Sequence, residues 1–466
     1  MPCFAVAPPR DERNGNEIDI DVPEKCCVLI QDERHINSAK LCLEESCMDL
    51  GTCVLLGLEG CFALWLLWRA KLLDTGRALW LSVLLTAGAF VLRAYCLPYE
   101  TLDYQDFLCK WVAFYRVNGG FHSIAYPLGN YNIPYMYFLC LFSYLPIRDL
   151  FLIKLLSIFF DVLLAFAAMK LVSLLGKSKG LQLGCFFTVL FLPTVVLNGA
   201  LWGQCDSIYV ALALLGLWLG LTQRPVLSVL CFTLSFGFKL QTVFLLPIMG
   251  VLWFRGNYKL RHFALFPLFY VLLVLPAVAL GKPFLETLTL YTSQTGSIGD
   301  GLNYNSPSIY AFFWRSPGSR DAANLGIVGA FTYMVALLLF CFLRRDRLRL
   351  RAVYAAALLF AAGIPFLLPH MHERYFFGAD ILSVVLAYSC TLGIPAALLT
   401  QYASLLGYHA YLKMRFLLYV DHGARALVGV LILGVIQLLY DTAEDAPDGK
   451  HEISEKTALT KNENLL

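Results

Sequence analysis

The apolar residues of this chain arrive in runs of roughly 17 to 22, the length at which a helix crosses the hydrocarbon core of a bilayer. That spacing leaves little choice of fold. In lipid, every backbone N–H and C=O must find its partner inside the protein, and over runs of this kind only helices achieve it. The runs near 52–68, 79–97, 151–170, 181–200, 206–222, 225–238, 242–254, 262–280, 322–343, 351–368, 377–394, 395–412 and 424–440 predict an all-α, polytopic helical membrane protein with about 11–13 transmembrane helices. Of the 466 residues, 59% are hydrophobic and only 15% are charged, more apolar surface than a water-soluble core can hide.

Three regions follow: an acidic tail over 1–51 that reads as disordered, a membrane domain over 52–440, and a polar tail over 441–466 without apolar periodicity. The first fifty residues lack a basic region followed at once by an apolar core, so they do not read as a cleavable signal peptide. The net charge of +3 is nearly balanced, and nothing in it suggests a nucleic-acid partner. Most of the fifteen cysteines lie singly inside apolar runs, where they act as small hydrophobes. Cys26, Cys27, Cys42, Cys47 and Cys53 lack a paired C-x-x-C pattern, so no metal is expected there.

Basic residues concentrate in short connections that stay cytoplasmic. The connection at 344–351 sets Arg344, Arg345, Arg347, Arg349 and Arg351 against the single Asp346 and must lie inside. Parity then places Arg69, Lys71 and Arg77, the Lys170, Lys177 and Lys179 group, and Arg255, Lys259 and Arg261 on the same side, provided that 131–147 lies along the outer interface without crossing. Three stretches are left outside, at about 98–150, 281–321 and 369–376, and function is expected there.

In the first of them, DYQDFLCKW places Asp103 and Asp106 just past a span. Acidic residues in an aqueous loop are ordinarily solvated charge. Here Tyr104, Phe107 and Trp111, with GGF at 119–121 and YNIPY at 131–135, suit a structured interfacial motif in which a pinned carboxylate acts as a base. One helical turn apart, both carboxylates would face one cavity.

LNGALWGQCDSIY sets Asn198, Trp202, Gln204 and Asp206 at the outer junction of two apolar helices, with Asp206 read either as the N-cap of the second helix or as a cavity residue. PHMHERYFF crowds His370, His372, Glu373 and Arg374 between two spans. Histidine and arginine together grip phosphate, and a glutamate beside them orients or balances them. A metal reading of the two histidines lacks the H-E-x-x-H spacing, and a plain interfacial anchor needs neither histidine. Lys154 and Asp161 on one span, and Lys239 in FKLQ, are intramembrane charges that line a substrate site or form structural ion pairs. Asn303 and Asn305 in LNYNSPSIY are candidate ligands for sugar hydroxyls.

Across about 79–395 this order of motifs, DYQDFLCKW, YNIPY, LNGALWGQCDSIY, FKLQ, LNYNSPSIY and HMHERYFF, resembles the GT-C superfamily of polyprenyl-phosphate-sugar-dependent glycosyltransferases. The nearest likeness is to bacterial membrane proteins related to GPI mannosyltransferase II. The resemblance implies a catalytic first outer loop with Asp103 as the base and Asp106 in reserve. It also implies a donor-phosphate site at His372, Glu373 and Arg374, joined by His370, and a cavity lined by the WGQCD segment. The implied reaction moves a sugar, with mannose the family's leaning, from a polyprenyl-phosphate donor to a glycan or glycolipid acceptor. It inverts the anomeric centre without metal, cofactor or nucleotide sugar, on the outer face of a bacterial plasma membrane. The N-terminal extension and the span at 52–68 depart from the family pattern. A transporter or flippase of lipid-linked glycans is the alternative, although no inverted repeat is evident; a scaffold for envelope assembly has no positive support.

Overall fold

Lipid-crossing helices need defined ends, and short polar side chains supply several of them here. The computed structural model describes residues 48–129, 131–291, 301–313 and 319–443, so the two tails expected at 1–51 and 441–466 fall almost wholly outside the described residues. Asp49 caps the first helix, α1 (Leu50–Arg69), by accepting from the Thr52 amide at 2.7 Å, and Thr75 caps α2 (Gly76–Cys96) from its hydroxyl. Both leave one orphan amide fewer at the membrane boundary.

The helices of eight residues or more continue as α3 (Cys109–Val117), α4 (Ile133–Phe142), α5 (Asp149–Ser173), α6 (Lys179–Leu190), α7 (Asp206–Leu221), α8 (Pro225–Phe238), α9 (Pro247–Phe254) and α10 (Leu265–Ala279). Beyond the second long loop come α11 (Arg320–Leu343), α12 (Leu350–Leu367), α13 (Phe377–Ser389), α14 (Gly393–Leu412) and α15 (Val420–Asp441). Two two-residue strands, β1 (Asn303–Tyr304) and β2 (Met371–His372), pair in parallel, with Asn303 opposite Met371 and Tyr304 opposite His372.

The chain is an all-α polytopic membrane protein. Seven helices are long and apolar enough to cross a bilayer, and the bent pair Lys179–Leu190 and Pro193–Trp202 makes an eighth if counted as one span. The remaining expected spans are realised differently. Asp206–Leu221, Pro225–Phe238, Leu240–Phe254 and Phe377–Ser389 are shorter apolar helices, and the run expected to cross at 395–412 forms α14, 20 residues long but not apolar enough to count among the crossing helices. Each of the first three starts or stops beside polar residues of one cluster, described below, and the fourth follows directly on its last segment. A helix that ends at a polar cavity need not span the full thickness by itself. The ten residues of α4 are too few to cross, which fits an interfacial segment at 131–147.

α5 and α12 form the buried centre. α12 is buried over nearly its whole length, with Ala352, Val353, Ala356, Leu359 and Phe360 sealed from the surface. α11 lies at the periphery and exposes Leu325, Val328, Phe331 and Leu339, as a lipid-facing helix does.

The intramembrane charges are paired, though not as the sequence suggests. Lys154 and Asp161 share α5 but do not meet. Lys154 Nζ donates to the carbonyls of Leu97 at 2.9 Å and Tyr99 at 2.5 Å, closing the end of α2. Asp161 accepts from Arg93 Nη2 at 2.9 Å and Nε at 3.2 Å, with both side chains fully buried, and from the Ser207 hydroxyl at 2.5 Å. Arg93 also donates to Leu190 O, so one guanidinium ties α2, α5 and α6 together. Arg93 and Asp161 form a structural ion pair within the span, and Lys154 is satisfied by backbone carbonyls at the end of α2.

Replacing Arg93 with Met strands the buried Asp161 carboxylate and is expected to cost about 3–5 kcal/mol, read as a lower unfolding temperature in detergent. Arg93→Met combined with Asp161→Leu should recover most of that loss, because it removes both charges.

Candidate functional site

The site begins with an irregularity. Past α2 the chain enters a π-helical turn, Tyr104–Leu108, in place of an α-helical one. A π turn closes i to i+5 and rotates side chains out of the α-helical register, so the expected common face of Asp103 and Asp106 is lost. Asp103 points into the protein. Asp106 is exposed, and no hydrogen bond among the described residues ties it to the cluster.

Asp103 is held by three donors. Its Oδ2 accepts from Trp202 Nε1 at 2.9 Å and from Gln204 Nε2 at 2.5 Å, while Oδ1 accepts from the Tyr411 hydroxyl at 2.6 Å. A carboxylate offers about four lone-pair sites, so one direction stays open. Trp202 and Gln204 arrive through a second π turn, Leu197–Trp202, after which Gly203 reverses the chain at φ +80. A side chain there would be strained by that backbone and would meet Lys154.

Asp206 is the first residue of α7 and makes no cap bond, which corrects the N-cap reading. Its carboxylate is buried and shared: Oδ1 takes Lys239 Nζ at 2.5 Å, and Oδ2 takes Asn198 Nδ2 at 2.8 Å with Arg374 Nε 3.7 Å away. Lys239 sits in extended backbone between α8 and a 3-10 turn, where a break in the helix turns its side chain to the carboxylate.

Arg374 completes the cluster. Its guanidinium lies 5.3 Å over the Trp202 ring, a cation–π distance, and Nη1 donates to Glu373 Oε1 at 3.0 Å. Nε is buried and makes no hydrogen bond among the described residues, with the Asp206 carboxylate 3.7 Å away. A buried guanidinium N–H left over in this way is a site for an oxyanion. Burial pushes the Glu373 carboxyl up to about 7, against the lowering pull of Arg374. The carboxylate therefore counters Arg374 fully only above neutral pH.

His372 stacks on Tyr304 at 4.8 Å, and the two loops are laced by the β1–β2 pairing and an Asn305–His372 bridge. Burial against these rings, and then the Arg374 charge, hold its imidazole below the usual histidine range. At neutral pH His372 is thus an uncharged hydrogen-bonding group beside Arg374. His370 sits at φ +62 with Nδ1 2.7 Å from Gly301 O, fastening the loop at a distance from Asp103. Asn303 closes its own turn, accepting from the Ser306 amide and donating to the Ser306 carbonyl, which uses one of its two N–H donors and one of its two lone pairs. Asn305 adopts φ +56 at the bridge to His372.

Three tyrosines belong to the cluster without having been singled out. Tyr411 stacks on Trp202 at 4.3 Å, Tyr131 donates to Gln204 Oε1 at 3.2 Å, and Tyr408 meets Asn198 Nδ2 at 3.1 Å. The i, i+3 spacing of Tyr408 and Tyr411 put them on one face of α14, but at a membrane boundary tyrosine is too common to mark a site. Gly407 on that helix lets it approach the loop, for a Cβ there would lie 2.9 Å from both Glu373 Cβ and Asn305 O. Among the described residues no group of three His, Cys, Asp or Glu could hold a metal ion.

Residues 142–255 match a family model, the MptA_B family, described as Alpha-(1->6)-mannopyranosyltransferase, N-terminal domain. No curated protein and no solved structure matches the chain. The matched segment carries Trp202, Gln204, Asp206 and Lys239 but neither Asp103 nor the 370–374 loop. It fits a GT-C mannosyltransferase, and the relation to GPI mannosyltransferase II is not part of what it supports.

Asp206→Asn leaves Lys239 as a buried cation without its counter-charge and is expected to destabilise by about 3–5 kcal/mol. Asp106→Asn should stay within about 0.5 kcal/mol of the parent. Thermal unfolding of the two purified variants in the same detergent makes the comparison.

Proposed function

We propose that this chain is an integral membrane mannosyltransferase that moves mannose from a polyprenyl-phosphate donor to a hydroxyl of a glycan or glycolipid acceptor. The observation that carries the reading is the double use of Trp202. Its indole N–H holds the Asp103 carboxylate and its ring face carries the Arg374 guanidinium. One rigid aromatic thus sets a candidate base and a candidate phosphate-binding cation a fixed distance apart, as transfer between an acceptor hydroxyl and a phosphate leaving group requires.

In this mechanism the open lone pair of Asp103 takes the proton of the acceptor hydroxyl as its oxygen bonds to the anomeric carbon. The bond from that carbon to the donor phosphate breaks, and its electron pair stays on the phosphate oxygen. Arg374, through its unsatisfied Nε–H, stabilises the growing charge more than it does the ground state. Neutral His372 donates or accepts beside it, and Lys239 keeps Asp206 from repelling the phosphate. Attack opposite the leaving group inverts the centre, so a β-linked donor gives an α-linked product, and no metal is assigned a step.

The helix ends support one sidedness. α12 runs from the arginine-rich 344–351 connection to the 368–376 loop, and the connections with Lys177 and Arg255 lie at the same ends of the helices as those arginines. With basic connections inside, the site faces outward, and a bacterial plasma membrane is the setting the family resemblance implies. A flippase of lipid-linked glycans would share outer cations but has no need of a carboxylate pinned by three donors.

Asp103→Asn is expected to lower mannosyl transfer from polyprenyl-phosphate-mannose by roughly 10²–10⁴-fold, measured with labelled donor in membranes; full activity in that variant would sink the assignment. A second outcome concerns pH. As pH rises through about 7, Glu373 ionises and draws on Arg374. The donor KM should therefore climb across that window, and Glu373→Gln should flatten the climb.

A further inference from the structure

At the opposite ends of these helices the chain encloses a second cavity, of about 570 Å³, lined by residues that the transfer reaction does not use. It opens between the α5–α6 connection, the start of α12, the α13–α14 connection and the last turns of α15. The 18 residues of α12 separate it from the 368–376 loop, a distance of about 27 Å at the helical rise.

Its charged lining is cationic. Lys177 and Arg351 face the same space. Arg351 Nε lies 3.4 Å from Asp441 Oδ1, and that carboxylate also accepts from Gln437 Nε2 at 2.7 Å. Among the described residues, one carboxylate against two cations leaves one positive charge over. Two long helices also begin at the cavity edge, α12 at Leu350 and α14 at Gly393, and their first amides add positive potential.

The rim is apolar on one side. Ile394, Ile436 and Tyr440 border the cavity and are exposed, the last two on α15, a helix long and apolar enough to cross a bilayer. A free anion in water needs no such wall; an amphiphile with a phosphate head and acyl chains matches both halves. We infer that this cavity is a binding site for the phosphate of an anionic phospholipid, entered sideways from the bilayer leaflet that meets the basic connections. Its occupancy would brace α12 and α15, which converge there, and it is independent of the transfer reaction.

Cys390 lines the same cavity and gives a local readout. The full-length protein in detergent is alkylated with a maleimide, with labelling of Cys390 followed by peptide mass spectrometry. The additions are dioctanoyl-phosphatidylglycerol, dioctanoyl-phosphatidylcholine or inorganic phosphate. Phosphatidylglycerol alone is expected to slow Cys390 labelling at least fivefold, to lose that protection in Lys177→Glu, and to keep it in Lys177→Arg. No side-chain ion pair involving Lys177 is found among the described residues, so its replacement leaves the packing intact, whereas Arg351→Gln would strand Asp441. Equal protection by inorganic phosphate would overturn the lipid as the source and leave a free-anion site. Equal protection by phosphatidylcholine, no protection, or protection that survives Lys177→Glu would overturn the site altogether.

Discussion

The polar cluster of this protein is organised around one buried carboxylate. Asp206 takes Lys239 from the end of α8, Asn198 from the broken span before it and, at longer range, Arg374 from a loop more than 160 positions later. A lone carboxylate in such a place would be untenable. Its partners therefore cannot move independently, and Trp202 and Gln204, four and two residues before it, are carried into position with them. Asp103 is then placed by what Asp206 has already fixed.

The same economy explains the broken and short helices. A span with a polar side chain at mid-depth must face another polar group, and the backbone near it must still be satisfied. The π turns at 104–108 and 197–202, the 3-10 turn at 240–244 and the extended residue at Lys239 lie where the chain leaves regular helix to present a side chain to the cluster. At the other end, away from these residues, the helices end in ordinary caps and basic connections.

Much of this is legible in the sequence because membrane physics makes it so. Most of the spans are written in hydropathy, and the costly polar residues stand out against an apolar ground. WGQCD, FKLQ and HMHERY are conspicuous for that reason, and their residues do converge. What escaped is what carries no contrast. Tyr411 sits among other tyrosines at a membrane boundary, where such residues are expected whatever they do. The separation of Asp103 from Asp106 escaped for a different reason, since an α-helical wheel gives no warning of a π turn.

The sequence by itself determined the solvent, the helical class, the orientation of the spans relative to one another and the short set of polar segments from which a site could be built. Each of those follows from a local rule: a run of apolar residues, or a charge in a short connection. Tertiary structure decided which polar residues serve packing and which serve the site. Lys154 closed the end of α2 and Asp161 paired with Arg93 in the core, whereas Asp206 and Lys239 paired with each other in the polar cluster. It also decided that His372 is a neutral ring stacked on Tyr304, since its charge depends on neighbours nearly seventy residues away in the chain. The physical reason is the same in both cases. A buried charge is defined by its partner, and partners are chosen by the fold.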